Sequence, residues 1–363
     1  MSHMSCSRCR ARYRVNDYPL GCPACARDGS PANLQIEYFT QSAQSVAEEV
    51  PYVNALSLGE GNTPLRLSSS ATGLYFKLES ENPTGSHKDR MAAIGITRAI
   101  EKGATRVVAA SSGNAGVSIA TYAGHAGIAC EIAVTKDCSD HFRQRITATQ
   151  AALIECADSL SRWQYLKDAV QNPHVYALTN YALPAVGSPA IAIEGYKAVA
   201  WEIFQQLGGS APNFVFIPVA RGDLLVGIAR GFQSLLAHGH ISALPRLVAV
   251  EPFARLANVM AGHDYRDTFS GSTEQFSTAG STVTFQTVNA LRLTNGMACV
   301  IGDAAAISAQ QKLGMEGINT ELCAAATLAA YHQYCTAGTI ADHDTAVLII
   351  TGKDEAQTII RRC

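Results

Sequence analysis

From residue 73 to about residue 171 the chain alternates short apolar runs with longer amphipathic ones, and no other feature limits the fold as much. "GLYFKLES" (73–80), "TRVVAAS" (105–111), "IACEIAVTK" (128–136) and "ALIECA" (152–157) have the length and composition of strands. "DRMAAIGITRAIEKG", "GVSIATYAGHAG", "SDHFRQRITATQA" and "SLSRWQYLKDAVQ" follow them in turn with apolar residues at helical spacing, the first halting at Gly103. Strands that alternate with helices of about ten to fifteen residues predict parallel sheet covered by helices on both faces. A second set begins after residue 185. It comprises the helix "EGYKAVAWEIFQQLGG", the strand "NFVFIPVA", the helix "IARGFQSLLAHG" and the buried strands "RLVAVEP" and "TAVLIITG". Residues 262–290, rich in Ser, Thr and Gly, read as a long loop region.

The 363 residues suffice for two domains of ordinary size. Hydrophobic residues make up 47% and charged ones 16%, the balance of a compact globular enzyme and not of a disordered chain. A formal net charge of -2 gives no field to hold nucleic acid or an anionic membrane, so neither is expected as a partner. No apolar run reaches the length of a membrane span and no signal-peptide pattern opens the chain, which places the expected location in the cytoplasm.

Eleven cysteines are present, and their placement is more informative than their number. Cys6, Cys9, Cys22 and Cys25 form two C-x2-C knuckles within the first 25 residues, whereas Cys130, Cys138, Cys156, Cys299, Cys323, Cys335 and Cys363 are scattered. Two such knuckles can direct four thiolates at one tetrahedral ion, a zinc-ribbon signature. With no His or carboxylate to leave an open position, zinc here is a structural clamp; four unrelated thiols are the plain alternative. Residues 1–40 then form a small module that needs metal to fold. The remainder divides into a smaller α/β domain, 41–185, and a larger one, 186–363.

Ligands of parallel sheets sit beyond the carboxyl ends of strands, where helix N-termini point. Three stretches have the required strand–turn–helix form. In "ENPTGSHKDR" (81–90) Ser86 is placed to cap a helix with Asp89 three residues on, leaving Lys88 in the first turn. The helix dipole disfavours an ammonium there and lowers the lysine pKa, as a nucleophile or base near neutral pH requires. A solvated lysine is the dull alternative. "ASSGNAG" (110–116) offers backbone amides to a carboxylate or phosphate. "PVARGDLLVG" (218–227) gives Gly222 for a tight turn, with Asp223 opposing a dianion unless it caps the helix and Arg221 compensates.

Together "GEGNTPL", "ENPTGSHKDR", "SSGNAG", "EGYKAVAWEI", "EGINTEL" and "TGKDE" resemble, in order and over roughly residues 55–355, the pyridoxal-phosphate enzymes of fold type II (the tryptophan synthase beta superfamily), and among them the threonine synthases. Some of these also carry an amino-terminal four-cysteine module. The resemblance implies two open parallel-sheet domains and pyridoxal 5'-phosphate as cofactor, with Lys88 as its Schiff-base lysine. It implies Asn114 at the cofactor's 3-hydroxyl and Ala220, Arg221, Gly222, Asp223 and Leu224 around its phosphate. Thr351 falls at the pyridine nitrogen, and Ser86, Ser111, Ser112 and Ala115 fall around the amino-acid substrate. A neutral hydroxyl at Thr351 leaves the ring largely unprotonated, a gentle electron sink suited to elimination and replacement at the side chain. Lys88, once released, is the base at the α carbon. A homodimer is the family's habit.

The departures concern substrate. Where threonine synthases read N-P-x-R-x-E-G, Pro189 and Ala192 replace the Asn and the Arg, and the usual Phe before the lysine is His87. The E-P-x-S-A segment has become Glu321-Leu322-Cys323-Ala324-Ala325. His87 is readable as a packed helix-start residue or a proton-transfer group, and Cys323 as a buried small residue or a nucleophile. The expected activity is elimination or replacement at the β or γ carbon of an amino acid other than phosphohomoserine. A serine/threonine dehydratase-type ammonia-lyase and a β-replacement enzyme of the cysteate-synthase kind are the enzymatic alternatives. An inactive binding protein that keeps the fold is the non-enzymatic one.

Overall fold

The computed structural model describes residues 2–38, 45–52 and 55–354; Glu355 and Cys363 lie outside them. Thirteen strands occur among the described residues. They are β1 (His3–Cys6), β2 (Arg12–Tyr13), β3 (Leu34–Glu37), β4 (Leu65–Leu67), β5 (Leu74–Lys77), β6 (Arg106–Ala110) and β7 (Ala129–Thr135). There follow β8 (Ala152–Cys156), β9 (Val175–Ala177), β10 (Phe214–Pro218), β11 (Arg246–Glu251), β12 (Met297–Val300) and β13 (Ala346–Ile349). The chain divides into two compact units, residues 1–60 with 82–195 and residues 61–81 with 196–363.

In the first unit a four-stranded sheet runs β8-β7-β6-β9 with every neighbouring pair parallel. Its longer helices are α1 (Lys88–Glu101), α2 (Asn114–His125), α3 (Asp140–Thr147) and α4 (Ser159–Ala169). Val107, Val108, Ile132, Ala133 and Val134 are wholly buried, as a strand covered on both faces requires. Trp163 and Leu166 of α4 pack with Val108, Ala133 and Val175. The amino-terminal segment adds a small antiparallel sheet, β2-β1-β3. It is tied to the rest of the unit by polar bonds: Asp17 accepts from Arg98 (Nε, 3.1 Å) and from the Tyr176 hydroxyl (2.8 Å), and Asn33 donates to the Ser188 carbonyl (2.9 Å).

The second unit is built on a six-stranded sheet, β12-β11-β10-β13-β5-β4, parallel except for the β4–β5 pair. Its longer helices are α5 (Lys197–Gln206), α6 (Asp223–Ala237), α7 (Phe285–Leu293), α8 (Asp303–Met315) and α9 (Leu322–Thr336). One core joins Phe76, Phe216, Val248 and Leu348 of the sheet to Leu313 of α8 and Leu328 of α9. Lys77, fully buried on β5, donates to Glu202 of α5 (2.5 Å), to Gln206 (2.9 Å) and to the Thr63 carbonyl (2.7 Å). Glu202 also accepts the Asn62 amide at 2.9 Å. A buried ammonium is tolerated only when partnered so completely, and the network holds the "GNTP" segment beside its strand.

The expected α/β architecture with parallel sheets is the one observed. Two local expectations fail. Helix α6 begins at Asp223, so "DLLVG" is helical and not part of the preceding turn. The 262–290 stretch contains a bridge between Thr268 and Thr282, a short 3-10 turn (Phe276–Thr278) and the start of α7. Its Ser, Thr and Gly content hid that helix start.

Candidate functional site

In the first unit Lys88 is the opening residue of α1, but the cap differs from expectation. His87, buried, stands at the N-cap position with no side-chain cap bond, and Ser86 accepts the Lys88 amide only at 3.4 Å. Asp89 does not reach back to Ser86. Its carboxylate accepts from the Thr84 amide (2.6 Å), the Thr84 hydroxyl (2.5 Å) and the Ser118 hydroxyl on α2 (2.6 Å). Burial pushes the Asp89 carboxyl up, and those hydrogen bonds oppose the shift. Arg145 donates to the Thr84 carbonyl at 2.8 Å. The turn before Lys88 is therefore fixed from three sides, by α1, α2 and α3.

Asn114 opens α2 directly after the turn that ends β6. Ser111 Oγ accepts the Gly116 amide at 3.0 Å, and Ser112 Oγ accepts the Thr135 amide at 3.0 Å and Arg162 Nη1 at 3.1 Å. Both hydroxyls shape the turn. The turn runs closely into the first residues of α2, whose N-terminus favours an anion. Gly116 permits this approach, because a Cβ there would lie 2.9 Å from the Ser111 carbonyl oxygen. Arg162 was invisible to sequence reasoning: it lies in the first turn of an ordinary helix, 50 residues from Ser112.

In the second unit Ala220 and Arg221 lie between β10 and α6, and Gly222 is the N-cap. Its φ of +99° lies in the left-handed region, and a Cβ would stand 2.2 Å from Thr287 Oγ1. Asp223 is thus the first helical residue, not the cap, and Leu224 follows it, buried. The Arg221 carbonyl accepts from Thr287 Oγ1 at 2.7 Å. Arg255, wholly buried, donates to the carbonyls of Val219 (2.8 Å) and Ala220 (3.2 Å) and pairs with Glu251 (3.3 Å). Burial lowers the Arg255 guanidinium, Glu251 opposes that, and the Arg221 charge adds to the lowering. Arg255 spends its donors on the carbonyls of Val219, Ala220 and Gly280 and so supports the turn, while the Arg221 charge at the helix N-terminus suits a phosphate dianion. The donors fit that part of the cofactor. Arg255 carries no motif, so its part was not legible beforehand.

Thr351, 2% exposed, follows β13 and donates from Oγ1 to Glu321 Oε1 at 2.9 Å. Ser277 donates to the other Glu321 oxygen at 2.8 Å. Cys323 is buried, and burial followed by the Glu321 charge pushes its thiol well above the ordinary range, so it is a packing residue and not a thiolate nucleophile. Ala192, 1% exposed, packs towards Gly95 of α1 and is a core position.

The four sulfurs of Cys6, Cys9, Cys22 and Cys25 lie within 4.8 Å of one another. Cys6–Cys25 and Cys9–Cys22 are 3.6 and 3.7 Å apart, near the ~3.8 Å edge of a tetrahedron with zinc–sulfur bonds of about 2.3 Å. The amides of Arg8 and Cys9 donate to Cys6 Sγ at 3.3 and 3.4 Å, as they would to a thiolate.

These features describe an α/β enzyme with a lysine, an asparagine turn and an anion cradle, each at a helix start. Residues 56–352 match the family model described as pyridoxal-phosphate dependent enzyme, and the chain belongs to that family. It is 27% identical to the threonine synthase of Methanosarcina acetivorans over the whole of this chain and 95% of that one. It is 30% identical to the threonine synthase of Mycobacterium leprae over 82% of both chains. Among solved structures, a fungal L-serine ammonia-lyase from Rhizomucor miehei superposes with a TM-score of 0.70 at 20% identity, over 85% of this chain and 99% of that one. The fold is therefore that of the fold type II pyridoxal-phosphate enzymes.

Gly222→Ala tests the cradle. Its φ and the Thr287 contact predict a destabilisation of more than about 1 kcal/mol and a loss of cofactor affinity beyond that of Ala220→Gly. Thermal unfolding and fluorescence titration with pyridoxal phosphate measure both; unchanged values would contradict the assignment.

Proposed function

We propose that the chain is a pyridoxal-phosphate-dependent lyase that eliminates or replaces a group at the β or γ carbon of an amino acid. Its membership of the family over residues 56–352, with Lys88 at a rigidly held helix start, carries the reading. The bound cofactor supplies an electron sink for the α carbon. Lys88 holds the cofactor and, once displaced, moves the proton at the α carbon. Asn114 bonds the cofactor's 3-hydroxyl, residues 220–224 bind its phosphate, and Thr351 meets its pyridine nitrogen. Ser86, Ser111, Ser112 and Ala115 receive the substrate, its carboxylate on the amides of the 111–115 turn. The proposal keeps a cytoplasmic homodimer. Among the described residues no helix is long and apolar enough to cross a membrane. Borohydride treatment of the holoenzyme should fix the cofactor on the Lys88 peptide and leave Lys88→Ala unlabelled; a label on Lys77, Lys197 or Lys353 refutes the assignment.

The substrate side chain is not phosphorylated in this proposal. A phosphate dianion in a closed site needs charge-assisted partners, and the position that carries the Arg of threonine synthases is a buried alanine packed towards α1. Arg162 does bring a cation beside Ser112, but it also donates to Ser159 at 2.9 Å. Phosphohomoserine should be turned over to threonine with kcat/KM at least about a hundredfold below that of the better substrates. Steady-state assays across serine, threonine and their phosphorylated and acetylated derivatives decide it, and efficient saturable threonine formation would restore the ordinary threonine synthase reading.

The amino-terminal cysteines hold structural zinc. Elemental analysis should find about one ion per chain, and Cys22→Ser should loosen residues 1–40 more than the catalytic body, read by hydrogen exchange. A metal-free protein with an equally protected module would contradict this.

A further inference from the structure

We infer that Arg162 is a positioning residue for the substrate carboxylate: its guanidinium holds the Ser112 hydroxyl so that this group meets the substrate only as a hydrogen-bond donor. The inference rests on the proposed function, in which the 111–115 turn receives that carboxylate.

A hydroxyl has one hydrogen and two lone pairs. At Ser112 Oγ the Thr135 amide takes one lone pair at 3.0 Å, and Arg162 Nη1 takes the other at 3.1 Å. Thr135 Oγ1 is a third neighbour at 3.0 Å, so Ser112 must be the donor in that contact. The Thr135 hydroxyl is also the first of the groups that hold the exposed Asp137 carboxyl below the usual carboxylate range, which places its own hydrogen on the Asp137 side. The Ser112 hydrogen is thus the adjustable member of the set. An ionised oxygen accepts more strongly than a neutral hydroxyl, so the hydrogen turns to a carboxylate when one arrives. A hydroxyl that already accepts from a cation is polarised and donates more strongly.

Arg162 is itself fixed by the start of α4. Asp158 caps that helix: its side chain accepts the Ser161 amide at 2.8 Å, and its own amide donates to Ser161 Oγ at 2.9 Å. Arg162 therefore stands in the first turn, where Nη2 donates to Ser159 Oγ at 2.9 Å while Nη1 reaches Ser112. From the other side Arg143 of α3 donates to the carbonyls of Cys138 (3.0 Å) and Thr135 (3.3 Å) and pairs with Glu155 of β8 (3.0 Å). This fastens the end of β7, which supplies Thr135. Ser112 is held between β7 and α4, two elements outside its own turn.

Equilibrium binding to the holoenzyme tests this without turnover. L-Alanine has no leaving group on its β carbon, and L-alaninamide is the same amine without the carboxylate charge; both are titrated against the cofactor's absorbance. Arg162→Met should weaken alanine about tenfold and leave alaninamide within about twofold of wild type, with Arg162→Lys intermediate for alanine. In a Ser112→Ala background the same change should cost less than about twofold, because Arg162 acts through that hydroxyl. Arg162→Gln, too short to span Ser112 and Ser159, repeats the comparison if Met destabilises α4 at this half-buried position. Equal losses for alanine and alaninamide would reveal a merely structural role. A tenfold loss that persists without the Ser112 hydroxyl would reveal direct action on the carboxylate. Either result overturns the inference, as does unchanged alanine affinity in the Arg162 variants. Wild-type protein that takes no cofactor on Lys88, or whose cofactor does not respond to alanine, overturns the proposed function and the inference with it.

Discussion

Two parallel strands cannot be joined by a tight turn, and this constraint sets where the chemistry of the protein can be. Each connection needs a crossover, and a helix used for it starts near the carboxyl end of the strand it follows. Amide groups without intrahelical acceptors, and the positive end of each helix dipole, therefore collect at those ends. The 111–113 turn after β6 and the 219–222 turn after β10, each with the helix start that follows it, are two instances, one in each unit. A ligand rich in anionic oxygen is the natural occupant of such places. The family's cofactor carries a phosphate and its substrates carry a carboxylate.

What holds those turns is a set of buried charges, each with several partners. Asp89 gathers three hydrogen bonds from Thr84 and Ser118. Arg255 supports the carbonyls of the 219–220 segment while Glu251 balances it. Glu251 in turn accepts the amides of Arg255, Leu256 and Ala257. An isolated charge in these positions would cost far more than its contacts return. Arranged in this way, the charges fix turn geometry that neutral residues of similar size would leave adjustable.

The sequence disclosed the elements whose signal is local. Strands β6, β7, β8, β10, β11 and β13 are short apolar runs bounded by turn residues, and α1 to α4 show helical spacing within one window. Lys88, Asn114 and Gly222 could be singled out because strand, turn and helix start lie within about ten residues of one another. Other features were hidden because their logic is non-local. β5 is recognisable as a strand, yet nothing in "GLYFKLES" says that it pairs with β13, some 270 residues away. Arg162 and Arg255 look like surface arginines until the fold brings Ser112 to one and the Val219 carbonyl to the other. The Asp89 contact differs from expectation in part for the same reason. Spacing alone favours a bond back to Ser86, but the amide and hydroxyl of Thr84 and the Ser118 hydroxyl offer three donors, the last supplied by tertiary contact.

The same distinction bears on how a change of substrate can be recognised. Residues 189 and 192 depart from the threonine synthase pattern, but a departure in sequence shows only that a side chain is missing. The structure adds that Ala192 is part of the packing around α1, the helix that presents Lys88. A guanidinium restored there would need a buried partner as well as room, so recovering the phosphate contact requires more than one substitution. Glu321 is the opposite case, since it keeps the first residue of the E-P-x-S-A pattern while its neighbours change. Its carboxylate still bridges Ser277 and Thr351. Retained charges that organise hydroxyls, beside replaced residues that would touch a substrate side chain, are the pattern expected when a site keeps its cofactor chemistry and alters the group that leaves.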